Sequence, residues 1–299
     1  MNFSKIDNLT KISREKSLFY ENFFKWEDYL FSDDMVWNVW FLDESLISIY
    51  WTKEYYKLTL FQKKHLSYLE VCQIIYTYAT TEAIMCLFLA RLILKYSIWT
   101  PQYNFILREQ IEEYRHQDMF ERSLKILQSK HCEISNFWKF TMKFEALYIP
   151  SKYFFVLQIV IEIISWDFWR KCIEKKDVFK LIRDSSIIHE IEEARHIDFA
   201  KLMLDDYFKN SWFFTKTLWG WFVFFDILFI NAHYLKIENF KILWVENYKE
   251  LYKIAKKNRK KNKLKNFNSK RWVDFLNRYW FITWWNRWAF KLFLGFKNI

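Results

Sequence analysis

The chain is 299 residues long, with 22% aromatic and 27% charged residues but only two glycines and two prolines. A chain of this length can bury a large core without disulfides, and so few glycines exclude the phosphate-binding loop, the dinucleotide-binding loop and the nucleophile elbow. The formal net charge of +11 suggests an anionic partner, and the shortage of turn-forming residues favours an all-α fold. No internal linker is visible apart from a basic segment near the C-terminus, so a single domain over residues 1–299 is expected.

The first half of the chain contains two long helical patterns. Residues 1–60 mix polar and aromatic side chains and predict two or three short helices that cover the body of the protein. An apolar helical pattern then runs from about residue 66 to residue 97, with Glu82 at its middle. A second long helix is predicted from Pro101 to about residue 128, because proline is favoured in a first helical turn.

The next part of the chain repeats this arrangement. After a shorter helical segment over residues 135–147, a third long apolar pattern carries Glu162, and Asp177 begins a fourth helix that reaches about residue 210. The four long helices predict a helical bundle over about 66–210. Burying an unpaired carboxylate in such an apolar run would cost on the order of several kcal/mol of folding free energy. Each lone glutamate is therefore expected to have a partner, such as a metal ion.

Residues 211–299 are predicted to add two or three accessory helices, the last from Arg271 to Phe296. The stretch 212–235 is apolar but interrupted by charged and polar residues, so it is interpreted as a buried or interface helix rather than a membrane span. Ten basic and no acidic residues lie in 253–271 and account for all but one of the net positive charges. This segment predicts a solvated linker, with peripheral contact to an anionic membrane as the alternative and no specific nucleic-acid partner.

The cellular compartment is also suggested by the sequence. The four cysteines form no CxxC pair, and the N-terminus lacks the apolar region of a secretory signal. We therefore expect the protein in the cytoplasm, or at the inner face of the membrane if the basic segment binds there.

The second and fourth long helices share the pattern EExRH, which is typical of a metal site. A glutamate and a histidine three residues apart lie on one helix face and can bind one metal ion. A bundle site takes a lone glutamate from two helices and a Glu-x-x-His pair from each of the other two. The chain supplies this set in alternating order: Glu82, Glu113 with His116, Glu162, and Glu193 with His196. Carboxylates that can bridge, together with imidazoles, suit two iron ions, or iron and manganese.

The residues beside these ligands predict a supporting layer. Glu112 and Glu192 precede the ligand glutamates, and each is expected to accept a hydrogen bond from the histidine of the opposite helix, fixing its tautomer. Arg115 and Arg195 would neutralise these two carboxylates. Ordinary ion pairing on the helix surface is the alternative for all four residues.

His189 is a candidate for one further ligand. His189, Glu193 and His196 occupy positions 0, 4 and 7 of one helix and fall in a narrow stripe facing the bundle axis. An added imidazole would make one of the two metals richer in nitrogen. The alternative is a capping or surface histidine near Asp184 and Ser185.

The segment 189–201, HEIEEARHIDFAK, resembles the signature of the p-aminobenzoate N-oxygenase-like di-iron oxygenases, which carry an extra histidine four residues before a ligand glutamate. Glu113 and His116 match that family's first Glu-x-x-His, and Glu82 and Glu162 match its lone carboxylates by order. The resemblance covers about residues 65–210. It implies a ferritin-like four-helix bundle with additional N- and C-terminal helices, a homodimer, and reduced iron that uses O2 as co-substrate.

The function that the resemblance implies is that of a non-haem di-iron monooxygenase that converts a small-molecule amine to a hydroxylamine, nitroso or nitro product. With no flavin- or nicotinamide-binding loop in the chain, an external electron donor is required. The enzymatic alternative is a di-iron fatty-acyl desaturase or hydroxylase acting on an acyl substrate, suggested by EExRH in both helices. A non-catalytic ferritin-like metal-binding protein associated with membranes is the third interpretation.

Overall fold

The computed structural model describes residues 2–15, 20–129, 132–208, 211–243, 245–258 and 269–294. Within these ranges every extended regular element is a helix, and β-type pairing is limited to one isolated bridge between Trp40 and Val178. The prediction of an all-α, ferritin-like bundle is confirmed.

The N-terminal residues form more helices than the sequence predicted. Four lie within the described part of residues 1–60: α1 Phe3–Glu15, α2 Tyr20–Phe23, α3 Met35–Asn38 and α4 Lys53–Lys57. Three of the four are only four or five residues long, too short for a helical periodicity to show in the sequence. The first, α1, packs across α6 and α9 of the bundle described next.

Five helices follow and include the four long helices of the bundle. They are α5 Leu60–Ile93, α6 Pro101–Ile126, α7 Asn136–Tyr148, α8 Phe154–Glu174 and α9 Lys180–Phe208. Helix α5 begins six residues before the predicted start because Thr59 and Gln62 form a capping box. Helix α6 begins as predicted, with Pro101 in its first turn and the Thr100 side chain accepting from the backbone of Tyr103.

The bundle is assembled from two helix pairs. Helix α5 packs along α6 and α8 packs along α9, and the pairs meet through α6 with α9 and α5 with α8. Large apolar side chains fill the space between them, including the fully buried Phe88, Phe105, Phe120 and Trp169. The lone glutamates and the EExRH motifs are therefore brought toward one bundle interior.

The C-terminal part differs from its prediction. It contains α10 Phe213–His233, α11 Ile237–Ile242, α12 Tyr248–Asn258, a helix Ser269–Arg278 and a short helix Arg287–Ala289 that continues as a π-helical turn, Phe290–Leu294. These are more than the two or three helices that the sequence predicted. Residues 259–268, most of the basic segment, lie outside the described residues.

The predicted helix from Arg271 to Phe296 is wrong, because the chain turns sharply at Trp280. This residue adopts a φ of 59°, in the left-handed region that ends a helix. The Asn286 side chain then holds the turn by donating to the carbonyl of Phe281 at 2.8 Å and accepting from the Thr283 backbone at 2.8 Å. Gly220 of α10 faces this turn, and a Cβ there would lie 2.0 Å from the Phe281 carbonyl oxygen, so only glycine fits.

Among the residues that the structure describes, two helices are long and apolar enough to cross a membrane by length and composition alone: α5 and residues 213–230 of α10. Two-thirds of the relevant window of α5 is buried inside the protein, as expected for a bundle core helix. The window of α10 is only 39% buried, so this helix leaves much of its apolar surface uncovered in the single chain.

Candidate metal centre

The bundle interior brings six of the seven predicted ligands into two adjoining groups. In each group the candidate ligand atoms all lie within 4.8 Å of one another. The first group contains Glu82, His116, His189 and Glu193, and the second contains Glu109, Glu113 and His196. All seven side chains are buried, so the groups are not the common exposed clusters of acidic residues. Whether these residues bind metal stays a prediction.

The first group has two imidazoles and two carboxylates. His189 is only 1% exposed, and its Nε2 lies 3.1 Å from Oε1 of Glu82 and 3.9 Å from Oε1 of Glu193. Nδ1 of His116 lies 3.3 Å from the same Glu193 oxygen and 3.8 Å from Glu82. His189 therefore faces the cluster, and the alternative of a capping or surface histidine is wrong.

The second group contains a residue that the sequence prediction missed. Nδ1 of His196 lies 3.4 Å from Oε1 of Glu113 and 2.9 Å from Oε2 of Glu193. Glu109 is the third member of this group and lies one turn before Glu113. It is fully buried, and Gln158 of α8 donates a hydrogen bond to it. The signal for Glu109 was in the sequence, because it precedes Glu113 by four residues, as His189 precedes Glu193.

Glu162 belongs to neither group in the described part of the chain. It is buried on α8, and its Oε2 accepts a hydrogen bond from Ser165 at 2.9 Å. Burial raises the pKa of Glu162, and the negative charges of Glu193 and Glu113 raise it further. Glu162 therefore lies in the electrostatic surroundings of both groups. Its assignment as a ligand remains a prediction.

The structure shows both of the cross-helix contacts that the EExRH pattern predicts. Nε2 of His116 lies 2.9 Å from Oε2 of Glu192, and Nε2 of His196 lies 2.8 Å from Oε2 of Glu112. In each imidazole this contact uses the nitrogen on the far side from the cluster. Nδ1 of each histidine is therefore directed at the carboxylates of the candidate metal groups, which is the orientation required of a ligand.

The two arginines complete this layer by pairing across the helices. Arg115 of α6 donates to Glu192 at 2.6 Å, and Arg195 of α9 donates to Glu112 at 3.1 Å. Because these carboxylates are almost fully buried, ordinary surface ion pairing does not describe them. Their role as supports of a metal site stays a prediction.

Helix α1 adds a contact that the sequence did not indicate. The hydroxyl of Ser13 donates to Oε1 of Glu112, and Ser13 is itself buried. Arg108 of α6 lies 3.5 Å from the Ser13 carbonyl oxygen and helps to fix the helix there. Residues 1–60 had shown no candidate chemistry, yet α1 closes the outer side of the Glu112–His196 pair.

Burial and the neighbouring charges shift the pKa values of several residues of the two groups. Burial raises the pKa of Glu82 well above its usual range and lowers the pKa of His189 to about 3. Burial also opposes protonation of His116 and His196, but their glutamate neighbours outweigh it, and the pKa of each imidazole is raised. Divalent metal ions would take the place of these protons, since metal ligands must be deprotonated.

The residues fit a pair of metal ions because several donor atoms make no hydrogen bond and have only other members of the two groups beside them. The buried atoms without a hydrogen bond among the described residues include Glu82 Oε2, Glu109 Oε2, both carboxylate oxygens of Glu113, His116 Nδ1 and Glu193 Oε1. Leaving so many buried polar atoms unsatisfied is rare in folded proteins. Two divalent ions would satisfy them, and the mixture of carboxylates and imidazoles suits iron or manganese.

Aromatic side chains enclose the first group. The ring centroid of His189 lies 4.9 Å from that of Trp169, 5.6 Å from Phe120 and 5.9 Å from Tyr78. All three neighbours are buried. This wall limits access of bulk water to the His189 side of the centre.

Comparison with known proteins finds the same family that the sequence motifs resemble. A family model described as P-aminobenzoate N-oxygenase AurF matches residues 4–277, which include both EExRH motifs and all four long helices. No curated protein and no solved structure matches the chain.

Proposed function

The chain belongs to the p-aminobenzoate N-oxygenase family, and from this membership we propose that it is a non-haem di-iron monooxygenase that N-oxygenates an amine. The proposal is carried by one observation, the buried His189 ring that faces Glu82 and Glu193 in the first group. This imidazole is the feature that distinguishes the centre from a bundle site with only four glutamates and two histidines.

When bound, two iron ions would supply the reduction of O2. Insertion of one oxygen atom into an amine N–H bond gives a hydroxylamine, and the second oxygen atom leaves as water with two protons. The balance requires two electrons, which an external donor must deliver. In this proposal the first group and the second group, with Glu162, hold the metal pair.

The protein's own residues would orient and isolate the site. Glu192 and Glu112 fix the rings of His116 and His196 through their outer nitrogens, so that the inner nitrogens stay available. The aromatic wall around His189 excludes water, which suppresses loss of the oxidant to side reactions.

A single-turnover experiment tests the proposed reaction. The protein is loaded with Fe(II) without oxygen, mixed with an aromatic amine and exposed to O2, and the products are identified by mass spectrometry with 18O2. We expect an N-oxygenated product that contains one labelled oxygen atom. A desaturated or C-hydroxylated acyl product in parallel assays would favour the desaturase alternative, and O2 consumption without any organic product would favour a metal-binding protein.

A further inference from the structure

An aromatic stripe runs along the exposed side of α7. Phe137, Phe140, Phe144 and Tyr148 occupy positions 0, 3, 7 and 11, which share one side of a helix. Each is at least half exposed, from 50% for Phe144 to 69% for Tyr148. The ring centroids of Phe140 and Phe144 lie 6.5 Å apart, and those of Phe144 and Tyr148 lie 4.9 Å apart. The rings therefore form a continuous apolar surface that the described residues do not cover.

A second stripe lies on α10. Phe214, Leu218 and Phe225 occupy positions 0, 4 and 11 and are 72%, 54% and 55% exposed. Trp221 lies between them on the same side, and its ring centroid is 6.3 Å from that of Phe225. The other side of α10 is buried, and the helix packs against α8 and α5. Helix α10 therefore lies along the bundle with an apolar outer side.

The two stripes adjoin each other and a group of residues near the C-terminus. Phe137 of α7 and Phe225 of α10 line one cavity of about 390 Å³ between these helices. The ring centroid of Trp221 lies 6.0 Å from that of Trp288. Trp288 belongs to a C-terminal group whose members are 50–67% exposed: Trp284, Trp285, Trp288 and Leu292. Together the two stripes and this group form the aromatic face. Single exposed apolar side chains are common, but a contiguous patch of this extent marks an interaction surface.

The acidic side chains of these elements line the cavity between α7 and α10. Glu145 and Asp226 are the only acidic residues in 136–148, 213–233 and 279–294. Both line the cavity, where Tyr153 donates a hydrogen bond to Asp226. Asp226 is 9% exposed, and Oε1 of Glu145 is buried. This carboxyl pair therefore puts little negative charge on the aromatic face.

The exposed charges on the same elements are cations. Lys143 of α7, and Arg287 and Lys291 beside the C-terminal group, are exposed. Lys139, one turn before Lys143, pairs with Glu133 at 2.9 Å. Exposed aromatic rings bordered by cations are typical of a surface that rests on an anionic bilayer, because the rings enter the headgroup region and the cations meet lipid phosphates.

A second copy of the chain fits this face less well. A two-fold interface would bring the aromatic face against itself. Its cations would then meet cations, and the acidic residues of these elements line the cavity instead of the face. Lysine is also depleted at protein–protein interfaces, whereas aromatic residues together with basic ones are enriched where helices lie on membranes. The charge pattern therefore favours an anionic lipid surface.

We propose that the aromatic face lies in the headgroup region of an anionic bilayer, with α10 resting along the membrane surface instead of crossing it. Crossing would separate α10 from α8 and place the ionisable Asp226 in hydrocarbon, which is costly. The rings supply apolar burial, and the bordering cations supply attraction to lipid phosphates. Stable attachment of peripheral proteins takes two such contributions. The inference does not depend on the proposed oxygenase reaction, because no metal takes part in it.

Binding to vesicles of phosphatidylcholine and phosphatidylserine at low ionic strength tests the aromatic face. The full-length protein is titrated with lipid, and a partition coefficient is obtained by co-sedimentation. Phe140→Ser, Phe144→Ser leaves the basic segment 253–271 intact. We expect this double variant to lower the coefficient at least about tenfold, because two exposed rings no longer leave water on binding.

A matched control variant separates the aromatic face from other exposed rings. Tyr56→Ser, Phe61→Ser changes two aromatic residues of α4 and α5 that are 62% and 57% exposed and lie outside the face. This control should leave the partition coefficient unchanged. Equal loss of binding in the two double variants, no loss in Phe140→Ser, Phe144→Ser, or no binding of the unaltered protein would each overturn the proposal.

A measurement on the unaltered protein stands even where a variant fails to fold. Brominated phosphatidylcholine in the vesicles quenches the emission of tryptophans that reach the bilayer. We expect partial quenching of the bound protein, and a smaller quenched fraction in Trp284→Phe, Trp288→Phe. Bound protein without any quenching would overturn the proposal.

Sedimentation velocity without lipid identifies the competing occupant. We expect the oligomeric state of the full-length protein to be the same in Phe140→Ser, Phe144→Ser as in the unaltered chain. A dimer that this variant converts to a monomer would assign the aromatic face to a second copy of the chain and overturn the proposal.

Discussion

Glu109 occupies on α6 the position that His189 occupies on α9. Each lies four residues before the glutamate and seven before the histidine of a Glu-x-x-His pair, and each side chain is buried. The two helices therefore present equivalent stripes that differ at one position, a carboxylate on one and an imidazole on the other. The first candidate group is consequently richer in nitrogen and the second richer in oxygen.

This difference predicts unequal metal preferences. Imidazoles favour iron, whereas carboxylates suit manganese, so His189→Ala should lower retention of iron more than of manganese. Glu109→Ala should lower retention of manganese more. The measurement is elemental analysis after anaerobic equilibration with equal Fe(II) and Mn(II) and removal of free metal. Equal losses of both metals in both variants would contradict the assignment of the two groups.

Two metal ions per chain are expected in the loaded protein. Seven or eight donor groups are too many for one iron or manganese ion, and their buried atoms without hydrogen bonds should make the metal-free protein less stable. Adding Fe(II) without oxygen should therefore raise the melting temperature, because ligand bound to the folded state stabilises it. Elemental analysis and thermal melts check both points. One zinc per chain, with no change in melting temperature on adding iron, would argue against a di-metal centre.

The supporting glutamates should matter for metal affinity without touching the metals. Glu192→Ala removes the partner of His116 Nε2 and of Arg115, so the ring loses its fixed orientation. Such changes lower metal affinity by about 10- to 100-fold, and competition with a chelator would measure the loss. Glu190→Ala, two residues earlier on the same helix and only partly buried, is the matched control. Equal metal affinity in the two variants would show that Glu192 forms an ion pair without supporting the metal site.

The sequence predicted much of the candidate centre because helical spacing alone determines which residues share a face. The contacts of His116 with Glu192 and of His196 with Glu112 follow from the EExRH pattern. Glu109 has the same spacing as His189 and was identifiable, but a glutamate stands out little in a helix that contains three others.

Other features depend on contacts that no local pattern encodes. Ser13 and Glu112 are 99 residues apart in the chain and meet only because α1 packs on α6. The carboxyl pair of Glu145 and Asp226 likewise requires α7 and α10 to adjoin the same cavity. The turn at Trp280 was missed because tryptophan is not a turn residue, and Asn286 and Gly220 specify the turn through tertiary contacts.

The buried Asp226 should make stability depend on pH. Its pKa is about 7 in the folded protein, because of burial, against 3.8 for an exposed group. The folded state therefore holds a proton that the unfolded state releases, so the contribution of Asp226 to stability is full below about pH 4 and falls as the pH rises toward 7. Asp226→Asn should flatten the decline in melting temperature between pH 5 and pH 7. An unchanged slope in this variant, with Asp118→Asn as the control, would contradict the assigned ionisation.

The basic segment 253–271 and the exposed aromatic residues of the C-terminal part predict binding to an anionic bilayer. Trp212 and Phe214 at the start of α10 are 79% and 72% exposed, and Trp284 and Trp288 near the C-terminus are also exposed. Aromatic side chains and clustered lysines are the residues that hold proteins at an anionic bilayer surface. We expect the protein to bind vesicles containing phosphatidylserine at low salt and to be released as salt rises, because salt screens the attraction between the lysines and the anionic lipids.

Replacing Lys256, Lys257, Lys260 and Lys261 with glutamine should abolish co-sedimentation with these vesicles at low salt. Equal binding to neutral and acidic vesicles, or none to either, would identify the segment as a solvated linker.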